Sequence, residues 1–247
     1  MCRHLAWSGS ARTVSSLVLE PKHGLLHQSY APADMRGGGT VNADGFGAGW
    51  YPAAGGAPVR YRSAQPIWSD PAFASVAAGA CAVAGLAAVR SATIGMPVVE
   101  TAAAPFAEGP WLFSHNGVVR GWPGSVAPLA ERLPVVDLLT LDAPTDAALL
   151  WALVRQRLRA GEDAGTALSR VCIEVEAAAP RSRLNLLLTD GSTIWATAWD
   201  HALSWCDTGS EVVVASEPVD DDPSWRPVPD HHLVVATPGA TTVTPIP

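Results

Sequence analysis

The sequence predicts an α+β fold in which antiparallel strands surround a central pair of helices, and three observations carry that expectation. Between residues 147 and 160, Leu149, Leu150, Leu153, Val154 and Leu158 recur at the three- and four-residue spacing of a single helix face, and a second helical stretch, 163–179, follows the stop at Gly161. The last third changes period. Short apolar runs at 183–189, 193–199, 203–206, 211–215 and 232–236 are separated by turn formers such as Asp190-Gly191. The two helices are neighbours in the chain, with strand patterns before and after them, which argues for layered α+β architecture and against alternating βαβ units. At 247 residues, 48% hydrophobic and 16% charged, the chain can bury a substantial core, and we read it as one domain over 1–247.

Taken in order, Cys2 to Trp7 alternates loosely between polar and apolar residues and reads as a buried strand, which would fix the start of the chain against a core. Thr13 to Glu20 suits a short helix or an extended segment. Residues 21–39 read as a long loop, a lid or substrate wall made mobile by Gly37 to Gly39. In 42–51, Gly45, Gly47 and Gly49 bare one face of a strand so that another backbone or a ligand can approach closely, while the G-x-G-x-G spacing without a following helix signal rules out a dinucleotide loop. Val59 to Trp68 is the return strand after Gly55-Gly56, and Pro71 to Ala78 a helix with proline in its first turn. Ala80 to Val89 is a strand of small apolar residues that delivers Arg90 at its end, either as an anion hook or as the strand's exit to solvent. Trp111 to Val119 is apolar but holds His115-Asn116-Gly117 at its middle. Asn-Gly favours a tight hairpin turn; the apolar flanks favour an oxyanion hole made by the Asn116 amide and the Gly117 N–H. Thr145 or Asp146 caps the central helix.

A formal charge of −7 with no lysine or arginine run argues against a nucleic-acid surface. No apolar stretch approaches the ~18–20 residues of a membrane span and the start lacks a signal-peptide pattern, so a cytoplasmic protein is expected. Cys81, Cys172 and Cys206 are far from one another and from Cys2, with no C-x-x-C pair; they read as small core residues, and we expect no metal and no cofactor. Oligomeric state is not legible. Cys2 carries a separate expectation. With Met1 removed it offers a thiol of ordinary pKa about 8.5 beside an α-amine near ~7.7–8.0, a nucleophile and its general base on one residue.

Taken together, Cys2, the N-x-D-G-x-G-x-G-W stretch at 42–50, Arg90-x-x-Thr93, His115-Asn116-Gly117, Thr145-Asp146 and Asn185 to Gly191 resemble, in content and order, the class II glutamine amidotransferases of the N-terminal nucleophile hydrolase superfamily. The resemblance implies a four-layer αββα sandwich of two antiparallel sheets. It implies that Cys2 attacks a γ-glutamyl amide to give a thioester that water hydrolyses, and that Asn116 and Gly117 form the oxyanion hole. It also implies that Arg90, helped by Thr93, holds the glutamyl α-carboxylate, Asp146 holds the α-ammonium, and His115 lies at the substrate. Met-Cys-Arg-His-Leu-Ala-Trp at the start, L-F-S-H-N-G-V-V at 112–119, Ala215 to Pro218 and Trp225 to Pro229 look like the stand-alone amidohydrolases of ergothioneine biosynthesis, which remove glutamate from γ-glutamyl-hercynylcysteine sulfoxide. The alternative is a glutaminase subunit feeding ammonia to a separate synthase. The hydrolase fold consumes the whole length, which favours the self-sufficient hydrolase. A trimethylammonium group on the substrate would suit aromatic or acidic contacts, for which Trp7, Trp50, Trp111, Trp122, Trp225, Glu217 and Asp220 to Asp222 are candidates.

Overall fold

The computed structural model describes residues 2–34, 36, 41–53 and 55–247; Gly37 to Gly39, expected to make the early loop mobile, lie outside the described residues. The strands are β1 (Arg3–Thr13), β2 (Phe46–Pro52), β3 (Val59–Ser63), β4 (Cys81–Val89), β5 (Phe106–Glu108), β6 (Trp111–Val118), β7 (Arg183–Thr189), β8 (Ile194–Ala198), β9 (Ser204–Asp207), β10 (Glu211–Ala215), β11 (Arg226–Pro227), β12 (His232–Thr237) and β13 (Ala240–Pro245). They pair antiparallel into a seven-stranded sheet, β11-β9-β10-β1-β4-β2-β3, and a six-stranded sheet, β13-β12-β8-β7-β6-β5. The longer helices are α1 (Pro71–Gly79), α2 (Asp146–Arg159) and α3 (Ala164–Ala178).

The period of two in each strand sorts side chains into layers. Leu5 and Trp7 of β1, with Val213 and Ala215 of β10, face Phe73 and Ala77 of α1 and the helical turns around Leu17 and Leu25. Ala6, Leu86, Val212 and Val214 point the other way, onto Leu112, Leu187, Ala196 and Val234 of the second sheet. The outer face of that sheet, Phe113, Leu184, Leu186 and Leu188, is covered by Leu149, Leu150, Leu153, Val171, Cys172 and Val175 of α2 and α3. The result is the four-layer αββα sandwich. Each long helix starts at a side chain that accepts a backbone N–H, as the capping rule requires: Asp70 from Phe73 at 2.9 Å, Thr145 from Ala148 at 3.2 Å and Asp163 from Thr166 at 2.9 Å.

Several expectations need correction. Of the two readings of Asn116-Gly117 it is the turn that fails, as the apolar flanks suggested: β6 runs straight through the pair, Asn116 opposite Asn185 and Gly117 opposite Leu184, because a long apolar strand with a partner on the next strand overrides the turn preference of two residues. The early loop contains a helical turn, Leu25–Gln28. Cys81 is exposed at the rim of β4, whereas Cys172 and Cys206 are buried. Among the described residues no helix is long and apolar enough to cross a membrane.

The glycine-lightened strand is structural. A Cβ at Gly47 would collide with the carbonyl oxygen of Ala104, and one at Gly49 would lie 2.8 Å from Leu112 of the other sheet. Across the sheet, Gly85 stands opposite both Trp7 and Trp50, and the Trp7 indole lies where its Cβ would be. Gly85→Ala is expected to cost about 2–3 kcal/mol through overpacking, a fall of roughly 4–12 °C in calorimetric unfolding temperature. Gly79→Ala, which meets nothing within 4 Å, serves as the near-neutral control. Equal stability of the two variants would sink this packing argument.

Two histidines are sealed in the interior. Burial, then His115, His201 and Arg3, keeps His4 neutral well below the usual histidine range, and burial, then Arg3, Arg183 and Arg36, pushes His201 down to about 3. Below the unfolded value of ~6.5 the unfolded chain takes up protons that the native chain refuses, so stability falls as pH falls, by up to about 1.4 kcal/mol per pH unit for each histidine. Urea midpoints are therefore expected to drop between pH 7 and pH 4.5, less steeply in His201→Asn; an identical slope in the variant would remove His201 from this account.

Candidate active site

Four elements from both sheets and the outer helix layer converge on one cavity. Cys2 immediately precedes β1, the strand held between β4 and β10, so its backbone is anchored by two neighbours. Arg90 follows β4, Ser114, His115 and Gly117 come from β6, and Thr145 and Asp146 begin α2; all line the cavity, with Thr93 and Met96 at its rim. The Cys2 thiol is half-buried and lies 3.8 Å from the Ser91 carbonyl.

The 42–50 stretch earns its place by holding Arg90. Asp44 N–H donates to the Arg90 carbonyl at 3.0 Å, Arg90 N–H donates to the Gly45 carbonyl at 2.8 Å, and the Asp44 carboxylate accepts the Ala92 N–H at 2.8 Å. Arg90 is 8% exposed, and its guanidinium donates to the carbonyls of Pro97 at 2.9 Å and Asp44 at 3.4 Å. Asp146 is 6% exposed; its oxygens accept the N–H groups of Ala147 at 2.8 Å and Val119 at 3.1 Å, at the positive end of α2. Neither side chain forms an ion pair among the described residues. The cavity thus presents one buried cation and one buried anion that do not neutralise each other.

Gly117 cannot be anything larger: a Cβ there would run into the Arg183 carbonyl and lie 2.7 Å from His115 Nε2, which itself donates to that carbonyl at 2.9 Å. Asn116 stands apart from the other expected site residues. It is fully buried behind the cavity wall, and its amide Nδ2 donates to Ser216 Oγ at 3.0 Å, while its Oδ1 has no partner. Ser216 Oγ also accepts the His4 N–H at 3.0 Å and donates to the His4 carbonyl at 3.2 Å. One hydroxyl therefore joins the strand after Cys2 to the expected oxyanion side chain. Sequence reasoning quoted Ser216 within Ala215-Ser216-Glu217-Pro218 but gave it no role, since its partners are distant in sequence.

Arg3 is a second residue whose role was not read. It is 1% exposed, donates to the Cys2 carbonyl at 3.2 Å and to the Asp34 carbonyl, and is weighed down by burial while Glu217 and Asp34 offset that cost. Glu217 accepts the N–H groups of Ala33 at 3.1 Å and Asp34 at 2.8 Å, so this candidate contact for a substrate cation is already engaged in fixing the chain beside Cys2. Of the expected tryptophans, Trp7 and Trp50 are core; Trp225 donates to Asp220 at 2.8 Å on the far rim. Trp111 packs on Trp195. Trp122 lines a neighbouring cleft of about 870 Å³ that shares Thr93 and Met96 with the first cavity. The one group of described side chains with metal-like spacing, Asp200, Asp230 and His231, is exposed and lines neither space.

Comparison with known proteins places these observations in a lineage. The family described as glutamine amidotransferases class-II matches residues 25–206. The chain is 45% identical to the gamma-glutamyl-hercynylcysteine sulfoxide hydrolase of Mycolicibacterium smegmatis over 247 residues, covering 100% of both chains. It is 44% identical to the protein of that name from Mycobacterium tuberculosis over 244 residues, 99% of this chain and 96% of the relative. Among solved structures, a glutamine aminotransferase class-II domain protein from Silicibacter pomeroyi superposes with a TM-score of 0.70 at 21% identity, covering all of both chains. Glutamine phosphoribosylpyrophosphate amidotransferase from B. subtilis gives 0.68 at 12% identity, covering all of this chain and 49% of that one. These structures share the fold of two antiparallel sheets between helices. With the family match spanning most of the chain and relatives aligned end to end, the chain belongs to the class II glutamine amidotransferases.

Proposed function

We propose that the chain hydrolyses the γ-glutamyl amide bond of γ-glutamyl-hercynylcysteine sulfoxide, releasing glutamate and hercynylcysteine sulfoxide. The observation that carries the reading is the cavity that holds Cys2 together with Arg90 and Asp146, two buried charges left unpaired. Burying either charge without a partner costs several kcal/mol, and a glutamyl head group, with one carboxylate and one ammonium, supplies a partner to each. The full-length relatives with this named activity supply the substrate.

The chemistry follows from residues at the cavity. Removal of Met1 frees the α-amine of Cys2, which accepts the Sγ proton. Sγ attacks the γ-carbonyl carbon, and the negative charge that develops on its oxygen is met by the Gly117 N–H at the cavity wall; Asn116, which does not line the unliganded cavity, adds its second Nδ2 hydrogen only once bound substrate brings the oxygen within its reach. The C–N bond breaks, the α-ammonium returns its proton to the departing amine, and a γ-glutamyl thioester remains. Water, deprotonated by the same amine, then releases glutamate and the thiol. The substrate is a small molecule and the reaction as written uses no cofactor.

Glutamate release is to be compared for the conjugate and for free glutamine at matched concentration. A strong preference for the conjugate is expected; equal or better use of glutamine would make the chain an ammonia-supplying subunit. Cys2→Ala should abolish turnover while preserving binding, and Arg90→Ala should raise KM by about ten- to a hundredfold. Wild-type-like rates in Cys2→Ala would end the mechanism.

Ser216→Ala should lower kcat by about tenfold or more with little change in KM, because the oxyanion contact acts in the transition state and not in the ground state. Ser216→Thr, which keeps the hydroxyl, should recover part of the rate. A matching loss of KM and kcat in both variants would make Ser216 merely structural.

A further inference from the structure

Two residues along β1 from Cys2, the otherwise apolar space between the sheets holds a polar pair that the mechanism leaves unused. His4 shares with Ala6 the face of β1 that meets the second sheet, and Ser114 shares with Leu112 the face of β6 that meets the first. His4 Nδ1 lies 3.1 Å from Ser114 Oγ, and both residues are buried. Burial keeps the imidazole neutral, so one of its nitrogens is a donor and the other an acceptor. Nε2 has no partner. A proton there would be an N–H sealed from water with nothing to accept it, the rarer kind of orphan, whereas a proton on Nδ1 reaches Ser114 Oγ. The hydroxyl that accepts from Nδ1 keeps its own hydrogen, and no other group among the described residues is hydrogen-bonded to Ser114 Oγ. Ser114 lines the cavity with Cys2 and Gly117, which Asn116 does not.

We propose that Ser114, oriented by His4, is a further oxyanion donor: its free hydroxyl hydrogen meets the γ-carbonyl oxygen, together with the Gly117 N–H, as negative charge develops there. The inference rests on the proposed function and adds a catalytic residue and a positioning residue to it. Donors to an oxyanion work by being aimed before the charge appears, and a hydroxyl that rotates freely is poorly aimed. The Nδ1–H of His4 occupies one lone pair of Ser114 Oγ and so restricts the directions left to the hydroxyl hydrogen. His4 itself touches no reacting atom and gives up no proton. Its place on the rigid strand that follows Cys2 ties the direction of the hydroxyl to the position of the nucleophile.

The test measures kcat and KM for glutamate release from γ-glutamyl-hercynylcysteine sulfoxide and from glutamine, and reads the variants on whichever amide the wild-type protein hydrolyses faster. Ser114→Ala is expected to lower kcat by about ten- to a hundredfold with KM within about twofold of wild type. His4→Leu, which fills the site without a donor, should lower kcat in the same way but add nothing in the Ser114→Ala background, and His4→Asn, which keeps an N–H near the Nδ1 position, should recover part of the rate. Calorimetric binding of the same amide to the Cys2→Ala protein should be equal with and without Ser114→Ala, which also shows that the serine variant folds. A wild-type kcat in Ser114→Ala, an equal loss of binding, or a His4→Leu loss that simply adds to that of Ser114→Ala would overturn the donor pair and leave the proposed function standing. Release of glutamate from neither amide by the wild-type protein would overturn both.

Discussion

Two opposite charges held apart inside one cavity constrain everything around them. Arg90 and Asp146 would find each other if their backbones were free to let them, and the fold prevents it by satisfying each locally: carbonyls of Asp44 and Pro97 for the cation, helix-start N–H groups for the anion. They are delivered by different layers, Arg90 from the end of a strand in the first sheet and Asp146 from the helix layer behind the second. The gap between them is then set by the packing of whole layers and not by side-chain rotamers. On the proposed reading such a site is preorganised for a zwitterion, because the cost of separating the charges was met on folding.

The same logic fixes the reacting end. A nucleophile at a chain terminus is useful only if the terminus is rigid, and here β1 is paired on both sides, its first residues held by Arg3 through the Cys2 carbonyl and by Ser216 through both backbone groups of His4. Ser216 binds Asn116 as well, so a shift of β1 against β6 would move the proposed nucleophile and the proposed oxyanion donor together. Glu217, the next residue, pins the Ala33–Asp34 segment against Arg3. One short stretch after β10 thus holds Cys2, Asn116 and the neighbouring wall in register.

Much of this was legible in the chain because the informative patterns were local. The period of helix α2, the strands from 183 to 215 and the proline start of α1 all agree with the structure within a residue or two, since apolar periodicity and capping act over a turn of chain. The strands that escaped notice, β5, β11 and β13, are short or polar edge strands whose pairing comes from a neighbour and not from their own sequence. In the site, Cys2, Arg90, Gly117 and Asp146, singled out from the sequence by the chemistry each could carry, line one cavity. Ser216 and Arg3 were not singled out, because a serine or an arginine gains such a role only from partners far off in sequence, His4 and Asn116 for one and Asp34 and Glu217 for the other. The Asn-Gly pair carries a local turn signal that its apolar flanks oppose, and pairing of β6 with β7 decides for the strand.

Specificity is the remaining problem for a site of this kind, because the glutamyl half is common to glutamine and to every γ-glutamyl conjugate. Contacts to that half bind all of them alike and lower KM without choosing among them. Discrimination has to come from groups facing the departing amine, and it is strongest where the wrong substrate leaves a charged group without its partner. Ammonia, leaving from glutamine, needs no such partner and would depart past any surface. On the proposed reading, an amino-acid conjugate must desolvate its carboxylate to reach Cys2.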